Sequence, residues 1–245
     1  MQERTAVYVT RRTVLQTMAR ITAVLPLMPI GTALGKALEQ CKEGKMNLPE
    51  PKVDGKVSVE KAIRDRRTVR SFSPRTLNLE QISQLLWSAQ GITEQGGFKR
   101  AAPSAGALYP MELFIVVGRG TVEHADPGIY HYEAGTRSTS LILEGDHRDE
   151  LARASLSQFW MAKAPVNLVI TAEFRRITGK YGSRGERYAL IEAGHIAQNI
   201  FLQARALGLA AGIVGAFTDT EIKRILQVDA AIDPLLIMPV GYPKE

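Results

Sequence analysis

Arg66-Arg67-Thr68-Val69-Arg70-Ser71-Phe72, followed one helix later by Pro103-Ser104-Ala105-Gly106-Ala107-Leu108-Tyr109-Pro110, carries more information about the fold than any other part of the chain. The first segment sets three guanidinium groups and a hydroxyl within five positions, just beyond a helical stretch. Guanidinium forks match the oxygens of a phosphate ester, and the Thr68 hydroxyl can donate one bond more. The second segment is a loop of small residues whose backbone can approach a flat ring, with Gly106 free to take dihedral angles closed to other residues. Each also has a plain structural account. The first reads equally as a solvated basic helix end, where cations suit the C-terminal dipole, and the second as a Pro/Gly turn between a helix and a strand.

Outward from these segments the pattern alternates between helix and strand. Ser58 is an N-cap for a helix running through Arg66, and Asn78 with Gln81 forms a capping box for a second helix that ends before Gly91. On that second helix Ile82, Leu85, Leu86 and Ala89 share one face. Met111–Gly118 is a continuous apolar run of strand length, Gly128–Tyr132 and Ser138–Leu143 suggest a hairpin, and Val166–Thr171 reads as a further buried strand. A long helix is expected over Glu186–Leu207, stopped by Gly208. It places Leu190, Ala193, Ala197, Ile200, Phe201, Ala204 and Leu207 at helical spacing, with small residues that admit a close neighbour. Thr218 with Glu221 reads as a capping box for a short helix, and Leu235–Val240 as the final strand. This order predicts an α+β domain, a sheet covered by helices on both faces.

The 245 residues, 45% of them hydrophobic, suffice for one good-sized core. Formal net charge is +6, and half of it lies in residues 1–40, where Arg4, Arg11, Arg12, Arg20 and Lys36 face Glu3 and Glu39. The remainder is only mildly basic and has no basic stripe interleaved with aromatics, so nucleic acid is not an expected partner. The single cysteine, Cys41, excludes an intrachain disulfide, and the four histidines have no metal-ligand spacing, so no metal is expected.

Thr10-Arg11-Arg12-Thr13-Val14-Leu15-Gln16 resembles a twin-arginine export signal, followed by a short apolar run and small residues. The run is too short and too interrupted by proline for a membrane span. The alternative is an amphipathic N-terminal helix on a cytoplasmic protein. The expected division is an export-signal-like segment at 1–41, a polar linker at 42–57 and one folded domain at 58–245.

Eight motifs in order carry a family resemblance: RRTVRSF, LLWSAQGIT at 85–93, PSAGALYP, GIYHY at 128–132, KYGSRGERY at 180–188, EAGHIAQNIFLQARALGL at 192–209, VGAF at 214–217 and PVGYP at 239–243. From about Ser58 onward the sequence resembles the nitroreductase-like flavoproteins, and within them the SagB/ThcOx-type dehydrogenases, which oxidise thiazolines and oxazolines in ribosomally made peptides. The resemblance implies a three-layer α/β/α sandwich with a mostly antiparallel central sheet. It also implies an intertwined homodimer in which two molecules of FMN lie at the subunit interface, each completed by both chains.

On this resemblance Arg66, Arg67, Thr68 and Arg70 hold the flavin phosphate and ribityl chain, joined by Lys244. Pro103, Ser104, Ala105 and Gly106 run beside the isoalloxazine ring, with Leu108 at its edge. Ile213, Val214, Gly215 and Ala216 lie over its other side. Lys180 and Tyr181 match a Lys-Tyr pair implicated in azoline oxidation, the lysine as a partly desolvated base with the tyrosine as its partner. Arg184 and Arg187 are open to two readings, contacts for an anionic substrate or solvated charges. His195 is expected to be a satisfied core or interface histidine rather than an acid–base group.

Three functions follow. The first is a dehydrogenase in which a small-molecule or peptide substrate gives a hydride to flavin N5. The second is an NAD(P)H-dependent nitroreductase or quinone reductase. The third is a flavin-binding subunit of a peptide-modifying assembly that does not itself turn over. Export favours the first over the second, since nicotinamide cofactors are scarce outside the cytoplasm, and it accords with a flavin loaded before translocation of a folded protein.

Overall fold

Continuous β-branched and aromatic runs build an eight-stranded sheet in which every neighbouring pair is antiparallel, in the order β1-β2-β5-β4-β3-β6-β8-β7. The computed structural model describes residues 41, 42, 44–94 and 96–244. The strands are β1 (Cys41–Lys42), β2 (Lys45–Asn47), β3 (Met111–Val117), β4 (Gly128–Glu133), β5 (Ser138–Glu144), β6 (Val166–Glu173), β7 (Ala210–Ala211) and β8 (Ile232–Gly241). The helices are α1 (Val59–Asp65), α2 (Leu79–Gln90), α3 (Arg148–Ala154), α4 (Arg175–Tyr181), α5 (Arg184–Ala206) and α6 (Asp219–Leu226). None of the described helices is long and apolar enough to cross a membrane. The twin-arginine-like motif and its apolar run lie outside the described residues.

Side-chain alternation in the central strands divides the interior into two layers. Leu113, Ile115 and Val117 of β3, Leu168 and Ile170 of β6, and Met238 and Val240 of β8 pack under α2 and α5. Phe114 and Val116 of β3, Val169 of β6 and Ile237 of β8 face the other way, against α3 and α6. The result is the expected three-layer sandwich, with its central strands buried on both faces.

Local chemistry fixes the helix ends. The Ser58 side chain accepts from Lys61 N at 3.2 Å. The expected capping box opens α2: Asn78 Oδ1 accepts from Gln81 N at 2.9 Å and Gln81 Oε1 from Asn78 N at 3.1 Å. At α6 the expectation fails in detail. Thr218 is the N-cap, but its side chain makes no capping bond. Leu190, expected in the buried stripe of α5, is 55% exposed; Ala189 and Ile196 join the expected Ala193, Ala197, Ile200, Phe201 and Ala204 in that stripe.

The expected linker, 42–57, is corrected over its first half. Lys45–Asn47 pairs with Ser138–Ser140 of β5, and Met46 is buried beneath the sheet edge. Beyond it, Ser83 Oγ donates to Pro49 O at 2.5 Å, and the Gln84 amide exchanges bonds with the backbone of Lys52. Polar composition hid this segment because only Met46 and Leu48 point inward.

Met46→Ala is expected to cost about 2 kcal/mol and several degrees of melting temperature, by analogy with other buried methionine truncations. Thermal denaturation checks it, and a change of less than about 0.5 kcal/mol would mean that the segment is a linker after all.

Candidate functional site

The predicted site residues gather into two patches, one reaching α5 at Phe201 and the other at Glu192. The first forms where the chain leaves α1. Val69 N donates to Ala211 O at 3.0 Å, and Thr68 bridges Ala211 in parallel, so the arginine segment lies alongside the start of the 211–216 segment. A Cβ on Gly212 would stand 2.7 Å from the Trp160 ring and 2.8 Å from Val69 O, so only glycine allows this approach. Lys244 N donates to Ser71 O at 3.0 Å, and Val214 pairs with Ile237 of β8. Thr68 and Val69 therefore lie against Ala211 and Gly212, with Lys244 beside Ser71, which joins the arginine segment to the start of the 211–216 segment and to the C-terminal residues.

The arginines of this patch are not equivalent. Arg66 rests over the Phe201 ring at 5.3 Å from its centroid, and Arg70 over the Trp160 ring at 5.7 Å. These aromatic platforms hold each guanidinium in place while leaving N–H edges free to donate. Neither has an ion-pair partner among the described residues. The nearby carboxylate, Asp65, is held down to about 2, chiefly by its hydrogen bonds from Lys61 and Arg64, and so is already engaged. Arg67 departs from the expectation: it turns back onto the end of α1, donating to Arg64 O at 2.7 Å and Arg66 O at 2.8 Å.

The second patch is built on the 103–110 turn. Gly106, Ala107 and Tyr109 have φ of +64°, +54° and +45°. Two of the three are not glycine, a concentration of left-handed backbone that persists only where surrounding structure enforces it. Ser104 Oγ accepts from Tyr109 N at 3.0 Å and closes the turn. Tyr109 Oη donates to Phe98 O at 2.6 Å, and the Arg100 guanidinium lies 4.3 Å from the centroid of the Tyr109 ring.

Lys180 and Tyr181 stand against this turn. A Cβ on Gly106 would lie 2.7 Å from Tyr181 Oη and 3.0 Å from Lys180 Nζ, so the bare face of that glycine is where both polar ends converge. Tyr181 meets the Tyr188 ring edge-on at 5.2 Å. Helix α4 is anchored from below by Arg176, which pairs with Glu112 at 2.5 Å and Glu173 at 2.6 Å, while His131 Nε2 lies 2.7 Å from the other oxygen of Glu112. Burial alone would raise the Glu112 carboxyl, but His131 and Arg176 outweigh it and hold it below the ordinary range. The desolvation expected of Lys180 is not present in the single chain, where the residue is exposed. His195, Arg184 and Arg187 are exposed too, so of the two placements expected for His195, core or interface, the core one does not occur in the single chain.

Sequence reading missed the polar group behind the turn. Glu192 of α5 is 1% exposed. Its Oε1 accepts from Gln90 Nε2 at 3.1 Å, and Gln90 Oε1 accepts from Arg100 at 2.7 Å. Oε2 is buried with no hydrogen-bond partner in the structure, although the Ser104 hydroxyl is close enough to favour the charged form. Burial raises the Glu192 carboxyl above its ordinary value, and Ser104, Gln90 and Arg100 only partly offset this. The available signal was a carboxylate on the same helical stripe as Ala189, Ala193 and Ile196. Trp160, the platform for Arg70, was also missed, and nothing in its neighbourhood of sequence marks it.

The fold and these patches define an oxidoreductase of mixed α/β architecture. A model of the nitroreductase family matches residues 63–242, and the chain belongs to that family. A nitroreductase-family protein of Methanocaldococcus jannaschii is 41% identical over 196 residues, spanning 80% of this chain and 96% of its own. The microcin B17-processing protein McbC of Escherichia coli is 28% identical over 179 residues, covering 67% of this chain and 62% of McbC. Among solved structures, a nitroreductase from Ralstonia eutropha superposes with a TM-score of 0.72 at 24% identity, covering 92% of this chain and 97% of that one. The E. coli microcin synthetase McbBCD complex superposes with a TM-score of 0.65, also at 24% identity, over 93% and 85% of the respective chains.

A carboxyl raised in the folded state makes stability fall as pH climbs, because the unfolded chain releases its proton first. Wild-type protein is therefore expected to lose melting temperature relative to Glu192→Gln as pH rises above about 4.5. A difference that stays constant across that range would show that Glu192 does not titrate abnormally.

Proposed function

We propose that the protein binds FMN and acts as a dehydrogenase of the SagB/ThcOx type on a small-molecule or peptide substrate. The observation that carries this reading is the convergence of Lys180 Nζ and Tyr181 Oη on the bare face of Gly106. The residues present suit the cofactor. Arg66 and Arg70 offer fixed, unpaired donors for a phosphate, and the 104–106 and 213–216 segments offer slim backbone on which a planar ring can lie. When bound, FMN supplies a hydride acceptor at N5. Lys180 takes the proton released as the substrate is oxidised, and Tyr181 orients the lysine amine. The exposed Lys180 loses water when substrate and a second subunit close over it.

A homodimer belongs to this proposal. Glu192, behind the turn, and Phe201, under Arg66, are nine residues apart on α5, or about 14 Å along the helix axis. Leu190 and Ile191 lie exposed on the same helix. A two-fold axis across its middle would bring the arginine patch of one copy toward the turn of the other. McbC, a relative named for microcin processing, supports the peptide branch of the proposal. Export by the twin-arginine route is proposed with it, on the sequence motif alone.

A second reading is NAD(P)H-driven reduction of a nitro compound or quinone. It is favoured by the 41% identity to the Methanocaldococcus jannaschii nitroreductase-family protein. Rapid bleaching of the flavin by NADPH, followed by turnover of a nitroaromatic, would select it over the first.

Two substitutions test the site. Arg66→Ala with Arg70→Ala is expected to leave soluble, folded protein that purifies without its yellow colour, with FMN affinity reduced at least a hundredfold because each lost charge-assisted bond is worth about 1.5–3 kcal/mol. Full flavin occupancy would remove the arginines from phosphate binding. Lys180→Ala is expected to keep the flavin and lose at least a hundredfold in substrate-driven flavin reduction, followed by single-turnover absorbance. An unchanged rate would remove Lys180 from the mechanism.

A further inference from the structure

Glu192 has a buried carboxyl oxygen without a partner, and it lies directly behind the turn that the proposed flavin would face. Four observations converge on it. The carboxyl is almost wholly enclosed. Its other oxygen is fixed by Gln90, which is itself fixed by Arg100. The Ser104 hydroxyl adjoins it and also closes the turn by accepting from Tyr109 N at 3.0 Å. The turn holds left-handed backbone at Ala107 and Tyr109, so small changes behind it are not absorbed by slack.

Hydrogen-bond accounting gives the carboxyl two modes. An ionised Glu192 can only accept, and the Ser104 proton then points inward to Oε2. A neutral Glu192 can donate to Ser104 Oγ, whose second lone pair is not needed by Tyr109 N. The Ser104 proton is then free to point outward. Nothing else in the cluster has this freedom. Arg100 supplies a fixed charge, Gln90 an amide already used at both ends, and Lys180 and Tyr181 meet the turn at Gly106 rather than at Ser104.

We propose that Glu192 is a positioning residue whose single proton sets the direction of the Ser104 hydroxyl, and so decides whether the 104–106 turn offers a side-chain donor to its ligand. The proposal rests on the FMN reading of the site. No bond other than hydrogen bonds changes, and the proton comes from and returns to solvent.

The test compares wild type, Glu192→Gln and Ser104→Ala. The amide of Glu192→Gln donates to Ser104 permanently and imitates the neutral carboxyl. FMN affinity, read by quenching of flavin fluorescence, is expected to converge in wild type and Glu192→Gln as pH is lowered. As pH is raised and Glu192 ionises, Glu192→Gln should come to bind about fivefold more tightly than wild type, the worth of one neutral hydrogen bond. Taking the ratio of the two proteins cancels titration of the FMN phosphate itself. Ser104→Ala should bind weakly, with the pH dependence of free phosphate only, and it keeps the test available if Glu192→Gln does not fold.

Infrared spectra of protein without flavin give a second readout. A protonated-carboxyl carbonyl band should be present at the acid end of the titration, fade as pH rises, be absent in Glu192→Gln and shift in Ser104→Ala. A wild-type to Glu192→Gln ratio constant with pH, or a band unmoved by Ser104→Ala, overturns the proposal. A band that behaves as expected in a protein that takes up no FMN at any pH would instead overturn the flavin reading, leaving the Glu192–Ser104 coupling in place.

Discussion

The seating of α5 on the sheet is the constraint on which the rest of the molecule depends. Ala189, Ala193, Ala197 and Ala204 are buried along it, and their small side chains let the helix lie close to the strands beneath. Near its N-terminus Glu192 reaches the turn of the second patch, and toward its C-terminus Phe201 carries Arg66. The helix therefore sets the spacing between the patches. A larger residue in the alanine stripe would lift both ends of the site together, beyond the cost of overpacking itself.

Much of this arrangement was legible from the residues. The capping box at Asn78 and Gln81, the strands beginning at Met111 and Val166, and the long helix all follow from local rules that the structure obeys. The arginine segment and the 213–216 segment were named separately and found together, because strand pairing at Ala211 and Val214 was not visible in either alone. Lys180 and Tyr181 were found beside Gly106 for the same reason: α4 is aimed by Arg176 gripping Glu112, a contact 64 positions apart in the chain.

What escaped the sequence was side-chain identity working against its usual location. A glutamate in an apolar helix reads as a surface residue, yet Glu192 is inside, and Leu190 beside it reads as core, yet is outside. The expected stripe holds at Ala193, Ala197, Ile200, Phe201 and Ala204 and fails toward its N-terminal end, where Ala189 and Glu192 turn inward and Leu190 outward. Lys45–Asn47 escaped because this short strand, second from the sheet edge, buries only its middle residue, and three residues are too few to show alternation.

The division of β3 between two layers has a consequence for how this chain tolerates change. Leu113 and Ile115 lie beneath the helices that carry the site, whereas Phe114 and Val116 belong to a compartment closed by α3 and α6, on the opposite face of the sheet. Adjacent codons thus answer to different helices, yet neither set is independent of the site: the layer of Phe114 and Val116 also holds Val214 and, packed against it, Trp160 under Arg70. A change on either side of this strand is felt at the working face.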